Sequence, residues 1–260
     1  MKKIVFMIVF FNFLILADNK KISYEVDYNI DIPITIISAL IGGLPPLLTP
    51  DLPGYMKNEK LNVDDVNAFD KLTVYNYNET SAKASDYLLA SMAVMPFAVN
   101  WINNDSSSYL KESIVIAESI AVSTALNSII KYSISRPRPY IYSGKASEKE
   151  ESNRDAHLSF YSGHSSFAFA TAISFSTVMS NRFDETWQKS LIWGIPLTLA
   201  FTVAFLRVQA GKHFLTDVFT GAVIGGSIGW LVPYLHEKSA GNIIAGGNSN
   251  GFMFSYSGNF

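Results

Sequence analysis

Three short clusters of the sequence contain residue types that can bind and attack a phosphate group. Arg binds this compact anion through paired hydrogen bonds, Lys adds a point charge, and His acts as a nucleophile or a general acid. Each cluster borders a long apolar window, so the sequence predicts one site at the ends of several helices. The clusters contain Lys131 and Arg138, then Ser162, Gly163 and His164, and finally Arg207, His213 and Asp217.

The cations of the first and third clusters are suited to a phosphate cradle. Lys131, Arg138 and Arg207 are expected to surround one phosphate, because a charged Arg at a helix end in an apolar chain needs a partner. Ser162 and Gly163 precede a predicted helix, so their backbone N–H groups would add donors at its positive end. Gly163 also lets the anion approach the backbone closely, since it has no side chain.

The histidines divide into two predicted catalytic residues and two others. His213 and Asp217 are four residues apart at the start of a predicted helix, so we expect them to share one face. A carboxylate beside an imidazole fixes its tautomer and stabilises the cation formed on attack, which makes His213 the predicted nucleophile of a phosphohistidine mechanism. His164 is then free to protonate the leaving oxygen and later to activate water. His157 and His236 match no cluster and are predicted to lie at the surface.

The spacing within the clusters resembles the type 2 phosphatidic acid phosphatase family, of the histidine acid phosphatase and vanadium haloperoxidase superfamily. Residues 131–139 fit its Lys-x6-Arg-Pro pattern, 162–164 fit Ser-Gly-His, and 207–217 fit Arg-x5-His-x3-Asp. Tyr161 and Leu206 stand where the family has a proline and a serine. The resemblance implies the same roles for the two catalytic histidines, with no cofactor and no metal.

The composition indicates that lipid is the solvent for much of the surface. Charged residues make up 16% of the chain, against about 25% in a typical soluble domain. The net charge of −2 provides no basic field for nucleic acid, so we exclude that class of partner. The absence of cysteine excludes disulfides and a thiolate zinc site.

Apolar windows predict an all-α fold, a helical bundle of about six membrane-embedded helices with the active site at one membrane face. Several windows hold only about 16–18 residues, at or below the length that crosses a hydrocarbon core, so a soluble bundle is the alternative. The lack of charge on any face argues against it, because a soluble surface helix needs a polar stripe. The windows are Ile30–Leu48, which glycines and prolines interrupt, and Tyr87–Ile102, Ser113–Ile130, Ser165–Ser180, Ser190–Leu206 and Phe214–Leu235.

The chain divides into four predicted segments. Residues 1–17 read as a signal peptide or an uncleaved signal anchor. Residues 18–85 hold the interrupted window and a polar loop, and residues 86–236 form the phosphatase helical core. Residues 237–260 are a tail, in which Asn250-Gly251 and the aromatic residues that follow it predict a hairpin, with a loose tail as the alternative.

Alternating crossings would place all three clusters at the same membrane face. If the leader is cleaved and the interrupted window spans the bilayer, that face is cytoplasmic. If the leader is an uncleaved anchor paired with a re-entrant segment, the site faces outward. The family resemblance implies an outward or periplasmic site in a multi-pass protein of a bacterial-type cell membrane.

The leading hypothesis is a metal-independent membrane phosphatase that hydrolyses a lipid phosphate or diphosphate, of the phosphatidic acid, prenyl diphosphate or lipid A type. A soluble secreted acid phosphatase acting on small phosphate esters is the alternative. The resemblance adds a vanadium-dependent haloperoxidase as a further alternative. The sequence leaves the particular lipid and the oligomeric state open.

Overall fold

The computed structural model describes residues 23–44, 61–103, 106–151, 153–237, 242–248 and 251–257. The predicted leader, residues 1–17, lies outside this part of the chain. Its elements are α1 (Asp31–Gly43), α2 (Ala68–Lys71), α3 (Glu79–Asn103), α4 (Ser106–Ser133), α5 (Pro139–Tyr142), α6 (Glu148–Glu151), α7 (Gly163–Ser180), α8 (Thr186–Gln209), α9 (Leu215–His236), β1 (Asn242–Asn248) and β2 (Gly251–Ser257), with 3₁₀ turns at Val63–Asp65 and Arg154–His157.

The described part of each apolar window forms a helix, which confirms the all-α bundle. The interrupted window gives the short helix α1, which ends at Gly43 before the prolines. The tail forms an antiparallel hairpin in which Asn248 pairs with Gly251. The predicted hairpin is therefore present.

Fewer helices qualify as membrane spans than the windows predict. Within the described residues, three helices are long and apolar enough to cross a bilayer: Ser108–Ser133 of α4, α8 and α9. Helix α7 lacks charged residues for a reason other than contact with lipid. Most of its residues are buried against neighbouring helices. A window without charge therefore indicates burial, and the sequence does not separate burial in protein from contact with lipid.

Helix α7 packs against α9 at almost backbone distance. Gly221, Gly225 and Gly229 recur every four residues and form one face of α9. A Cβ atom on Gly225 would lie 2.1 Å from the carbonyl oxygen of Ser166, and one on Gly221 would lie 2.5 Å from that of Ser162. Small residues permit this close approach, and it brings together the N-terminal ends of α7 and α9, where the second and third clusters lie.

Two histidines predicted to lie at the surface do not lie there. His157 is buried in the 3₁₀ turn, where its carbonyl accepts the backbone N–H of Arg136 and so joins the turn to the first cluster. His236 is half-buried at the end of α9, beside Asp31 and Glu118. Both positions result from tertiary contacts that no local pattern indicates.

The Gly225 contact yields a stability prediction with a matched control. Gly225→Ala should destabilise the fold by about 1–3 kcal/mol, because the new methyl group overlaps backbone atoms of α7. Gly194→Ala in α8 meets nothing within 4 Å and should be neutral or stabilising, since Ala favours a helix over Gly.

Thermal unfolding of the purified variants in detergent measures this difference. We expect the midpoint of Gly225→Ala to fall by several degrees, at roughly 2–4 °C per kcal/mol. Equal midpoints for the two variants would contradict the close approach of α7 and α9.

Candidate active site

The three clusters meet at one end of the bundle, as their chain order predicts. This end contains the C-terminal ends of α4 and α8 and the N-terminal ends of α7 and α9. Arg138 and His213, from the first and third clusters, lie 3.3 Å apart between Nη1 and Nε2. His164 and Arg207, from the second and third, both contact the same oxygen of Asp86. Residues far apart in the sequence thus lie together at this end of the bundle.

His213 is held in a single orientation in the tight turn between α8 and α9. Its Nδ1 lies 2.8 Å from the carbonyl oxygen of Ser159 and must donate to it. The neutral ring therefore keeps the lone pair of Nε2, which faces the guanidinium of Arg138. The turn requires Gly211, which has a φ of +68° and approaches the carbonyl of Asn76 so closely that no side chain fits.

Asp217 does not contact His213 in the expected way. Its Oδ2 lies 3.8 Å from Nδ1 of His213, which is beyond hydrogen-bond distance. That oxygen instead accepts from the hydroxyl of Ser159 and from the backbone N–H of Phe214. The expected pairing assumed that both residues are helical, whereas α9 begins at Leu215. Asp217 is therefore connected to the imidazole through Ser159, whose hydroxyl donates to Asp217 and whose carbonyl accepts from His213.

Arg136, which lies between the two cations of the first cluster, anchors the start of α9. Its guanidinium donates to Asp217 and to Asp70, at 2.5 and 2.6 Å. Asp70 also accepts the backbone N–H of Thr216 at 3.0 Å. Burial alone would raise the pKa of Asp70, but the hydrogen bonds from Thr216 and Arg136 lower it. This network fixes the helix that carries Asp217.

Asp155 is a site residue that the sequence analysis missed. Its Oδ1 accepts from Nη2 of Arg138 at 2.8 Å and lies 4.0 Å from Nζ of Lys131. Burial would raise the pKa of Asp155, but the charges of Arg138 and Lys131 lower it well below its usual range. Asp155 belongs to no motif and reaches the cradle only because residues 136–138 pair with the 3₁₀ turn.

Asp86 is the second missed carboxylate, and it joins His164 to Arg207. Its Oδ1 lies 2.8 Å from Nε2 of His164 and 3.1 Å from Nη1 of Arg207. Arg207 is buried, and its Nε has no hydrogen-bond partner among the described residues. A buried donor without an acceptor is costly, so the site is suited to a further anion. The side chain of Asp86 is 58% exposed and therefore has room to move.

Ser162 and Gly163 contribute more to packing than the sequence predicts. The hydroxyl of Ser162 caps α7 by accepting from the N–H of Ser165, and its own N–H donates to the carbonyl of Asp217. That amide is therefore occupied within the protein. A Cβ atom on Gly163 would lie 2.6 Å from Oδ1 of Asn127, so glycine is needed for α4 to approach. The phosphate contacts of both residues remain predictions.

The electrostatic field of the site favours neutral histidines. Burial lowers the pKa of His213 well below 6.5, and the charges of Arg138, Arg207 and Lys131 lower it further. Burial and Arg207 lower the pKa of His164 to about 4, although Asp86 partly opposes this shift. At neutral pH the Nε2 lone pair of His213 is therefore available for attack.

The lowered pKa of His213 predicts the acidic limb of the pH profile. The neutral nucleophile is present above its pKa and is lost only as the pH falls through that value. The acidic limb of the pH profile of kcat/KM for an aryl phosphate should thus lie well below pH 6.5, once the ionisation of the substrate itself has been corrected for. Arg138→Gln removes the nearest positive charge and should move this limb upward, whatever happens to the maximal rate. If the acidic limb lies at pH 6.5 and Arg138→Gln does not move it, the lowered pKa of His213 is contradicted.

Comparison with known proteins matches residues 113–240 to the model of the PAP2 superfamily. Phospholipid phosphatase 1 of Rattus norvegicus is 30% identical over 134 residues, covering 43% of this chain and 47% of that protein. Lipid phosphate phosphatase 2 of Arabidopsis thaliana is 28% identical over 157 residues, covering 51% and 54%. The chain spans about half the length of the curated relatives it matches.

Two solved structures also match. LpxE of Aquifex aeolicus gives a TM-score of 0.43 at 22% identity, over 68% of this chain and 97% of that one. The transmembrane PAP2-type phosphatidylglycerolphosphate phosphatase of Bacillus subtilis gives a TM-score of 0.43 at 24% identity, over 89% and 94%.

Proposed function

Residues 113–240 of this chain belong to the PAP2 superfamily, and from this premise we propose that the protein is a membrane phosphatase that hydrolyses a lipid phosphate or diphosphate through a phosphohistidine intermediate. The observation that carries the proposal is the orientation of His213. Its Nδ1 donates to Ser159, while its Nε2 faces Arg138 in the cation cradle. A phosphate bound to those cations would meet the lone pair of a neutral imidazole.

In the first step, Nε2 of His213 attacks phosphorus and the bond from phosphorus to the leaving oxygen breaks. His164 gives its proton to that oxygen, so the lipid leaves as an alcohol or as a monophosphate. In the second step, His164 takes a proton from water, and the oxygen of that water attacks the phosphohistidine. The P–N bond breaks, inorganic phosphate leaves, and His213 is neutral again.

The cradle supplies the charge that a metal ion supplies in other phosphatases. Lys131, Arg138 and Arg207 would stabilise the charge on the transferring phosphoryl oxygens. Asp217, at 3.8 Å from Nδ1, would stabilise the positive charge that His213 gains on attack. Ser159 would hold the tautomer that places the lone pair on Nε2.

Asp86 would hold the general acid until substrate binds. In the free site, Nε2 of His164 donates to Asp86, and its pKa of about 4 keeps the ring neutral. A bound phosphate adds negative charge beside His164 and so raises that pKa, which favours the protonated form. The exposed side chain of Asp86 can withdraw as the leaving oxygen takes its place.

The surface of α8 and α9 supports a membrane enzyme over the soluble alternative. Phe201, Phe205, Phe219 and Trp230 are each more than half exposed, on two of the three candidate spans. Such large apolar patches are rare on soluble monomers and are typical of lipid-facing surfaces. Lipid around these helices would bring a lipid phosphate to the end of the bundle where the cradle lies.

Two histidine variants test the proposed roles, with an aryl phosphate and a lipid phosphate as substrates. His213→Ala should lose almost all activity on both, because the residue that bonds to phosphorus is gone. His164→Ala should lose about 10²–10⁴-fold on the lipid phosphate and much less on the aryl phosphate, whose good leaving group needs little protonation.

Phosphate release and the unfolding midpoint are measured for both variants, so that a folding defect is recognised. Equal losses for the two variants on both substrates would contradict the division of roles. A folded His213→Ala protein that stays active would refute the phosphohistidine mechanism.

We also propose that the active-site end of the bundle faces outward or into the periplasm, as the family resemblance implies. The chain contains no cysteine, so one introduced thiol reports one position. Lys145 is exposed in the segment between α4 and α7, at the active-site end. Glu185 is exposed before α8, at the opposite end of that helix.

A membrane-impermeant maleimide applied to intact cells should label Lys145→Cys and leave Glu185→Cys unlabelled until the membrane is opened. The distance along the 24 residues of α8, about 36 Å, separates the two reporters across a hydrocarbon core. The reverse pattern would place the active site in the cytoplasm.

A further inference from the structure

A second group of ionisable side chains lies at the opposite end of the bundle from the phosphate cradle. Asp31 begins α1, Glu118 lies within α4, and His236 ends α9. One ligand atom from each residue lies within 4.8 Å of the other two. Helix α9 has 22 residues, so its last residue lies about 33 Å from the catalytic end. The phosphatase mechanism uses none of these three residues.

The imidazole of His236 presents a lone pair to the two carboxylates. Its Nδ1 donates to the backbone carbonyl of Val232 at 2.9 Å. In the neutral ring, Nε2 is then free to act as a ligand, and it lies 3.4 Å from Oδ2 of Asp31 and 3.6 Å from Oε2 of Glu118. A backbone carbonyl that orients a histidine from behind is the usual support of a metal ligand.

Glu118 gives independent support for a cation at this cluster. The residue is only 7% exposed, and its Oε2 has no hydrogen-bond partner among the described residues. A buried carboxylate oxygen without a hydrogen bond is costly. Because this oxygen is one of the three clustered atoms, it points to a cation between the side chains.

The two separations from Nε2 of His236 are longer than direct hydrogen bonds and fit two ligands of one metal ion. Both N···O distances exceed the 2.7–3.2 Å of a good hydrogen bond. Two ligands bound at about 2.0–2.2 Å to a tetrahedral ion lie roughly 3.3–3.5 Å apart. One imidazole with two carboxylates is a donor set suited to zinc, whereas an all-oxygen set would favour magnesium or calcium.

We propose that Asp31, Glu118 and His236 form a structural zinc site that ties α1 and the end of α9 to α4. Three protein ligands leave one position of a tetrahedral ion for water. Oδ2 of Asp31 also accepts the backbone N–H of Asp27 at 2.7 Å, which orients this ligand. Zinc would neutralise two carboxylates that otherwise lie together in an apolar bundle.

Zinc binding to the purified, metal-stripped protein in detergent tests the proposal directly. We expect about one zinc ion per chain by mass spectrometry, a higher unfolding midpoint with zinc, and no such shift with magnesium. Zinc X-ray absorption should show one imidazole with oxygen ligands, a readout that needs no variant. Phosphatase activity should be unchanged by the chelator at temperatures where the protein stays folded, which separates this site from the proposed catalytic function.

Glu118→Gln and His236→Gln should each lose the bound zinc and the thermal shift. Glu237→Gln is the matched control, because it changes the neighbouring carboxyl outside the ligand group, and it should keep both. Failure of the wild type to bind zinc would overturn the proposal. Zinc that binds without an imidazole ligand, or that stabilises both ligand variants as it does the wild type, would overturn it as well.

Discussion

The close contact between α7 and α9 is the constraint on which the catalytic end depends. Three glycines on α9 let the two backbones approach to a distance that no side chain allows. As a result, the N–H of Ser162 reaches the carbonyl of Asp217, and the N-terminal ends of both helices open on the same space. His164 begins one helix and His213 precedes the other, so this contact positions the two histidines relative to each other. Glycines that carry no reactive group thereby determine the geometry of the candidate site.

Buried charge is the second constraint, and carboxylates outside the family motifs balance it. Three cations around one space would repel one another strongly without counter-charges. Asp155 pairs with Arg138 and lies near Lys131, while Asp86 pairs with Arg207. Two carboxylates thus offset two of the three positive charges, and a phosphate would compete with these carboxylates for the cations. The same burial lowers the pKa of His213 and so keeps its ring neutral.

The bundle separates its polar chemistry between two ends with an apolar middle. The cradle lies at the start of α9, and the Asp31–Glu118–His236 group includes the last residue of that helix. Between them, α8 and α9 expose large aromatic side chains. A helix that crosses a bilayer has water and headgroups only at its ends, where the cradle and His236 lie, whereas Glu118 lies near the middle of α4.

The sequence by itself determined the helices and pointed to most of the residues that meet at the candidate site. Lys131, Arg138, Arg207, His164 and His213 were identified because each lies in a short motif at a helix end, where local spacing decides position. The meeting of the three clusters followed from the alternation of helices along the chain. The all-α class followed from apolar windows, because a chain segment in an apolar environment must satisfy its backbone hydrogen bonds locally.

The tertiary structure alone decided the remaining contacts. Asp86 and Asp155 reach the cradle from segments that carry no motif, and the hydrogen bond of His213 goes to Ser159 because α9 begins two residues later than the i, i+4 argument required. Windows without charge did not reveal that α7 is buried among helices, since hydropathy does not distinguish lipid from protein interior. The sequence likewise did not predict the partners of His157 and His236. Contacts between distant segments depend on how the helices pack, and they leave no periodic signal in the sequence.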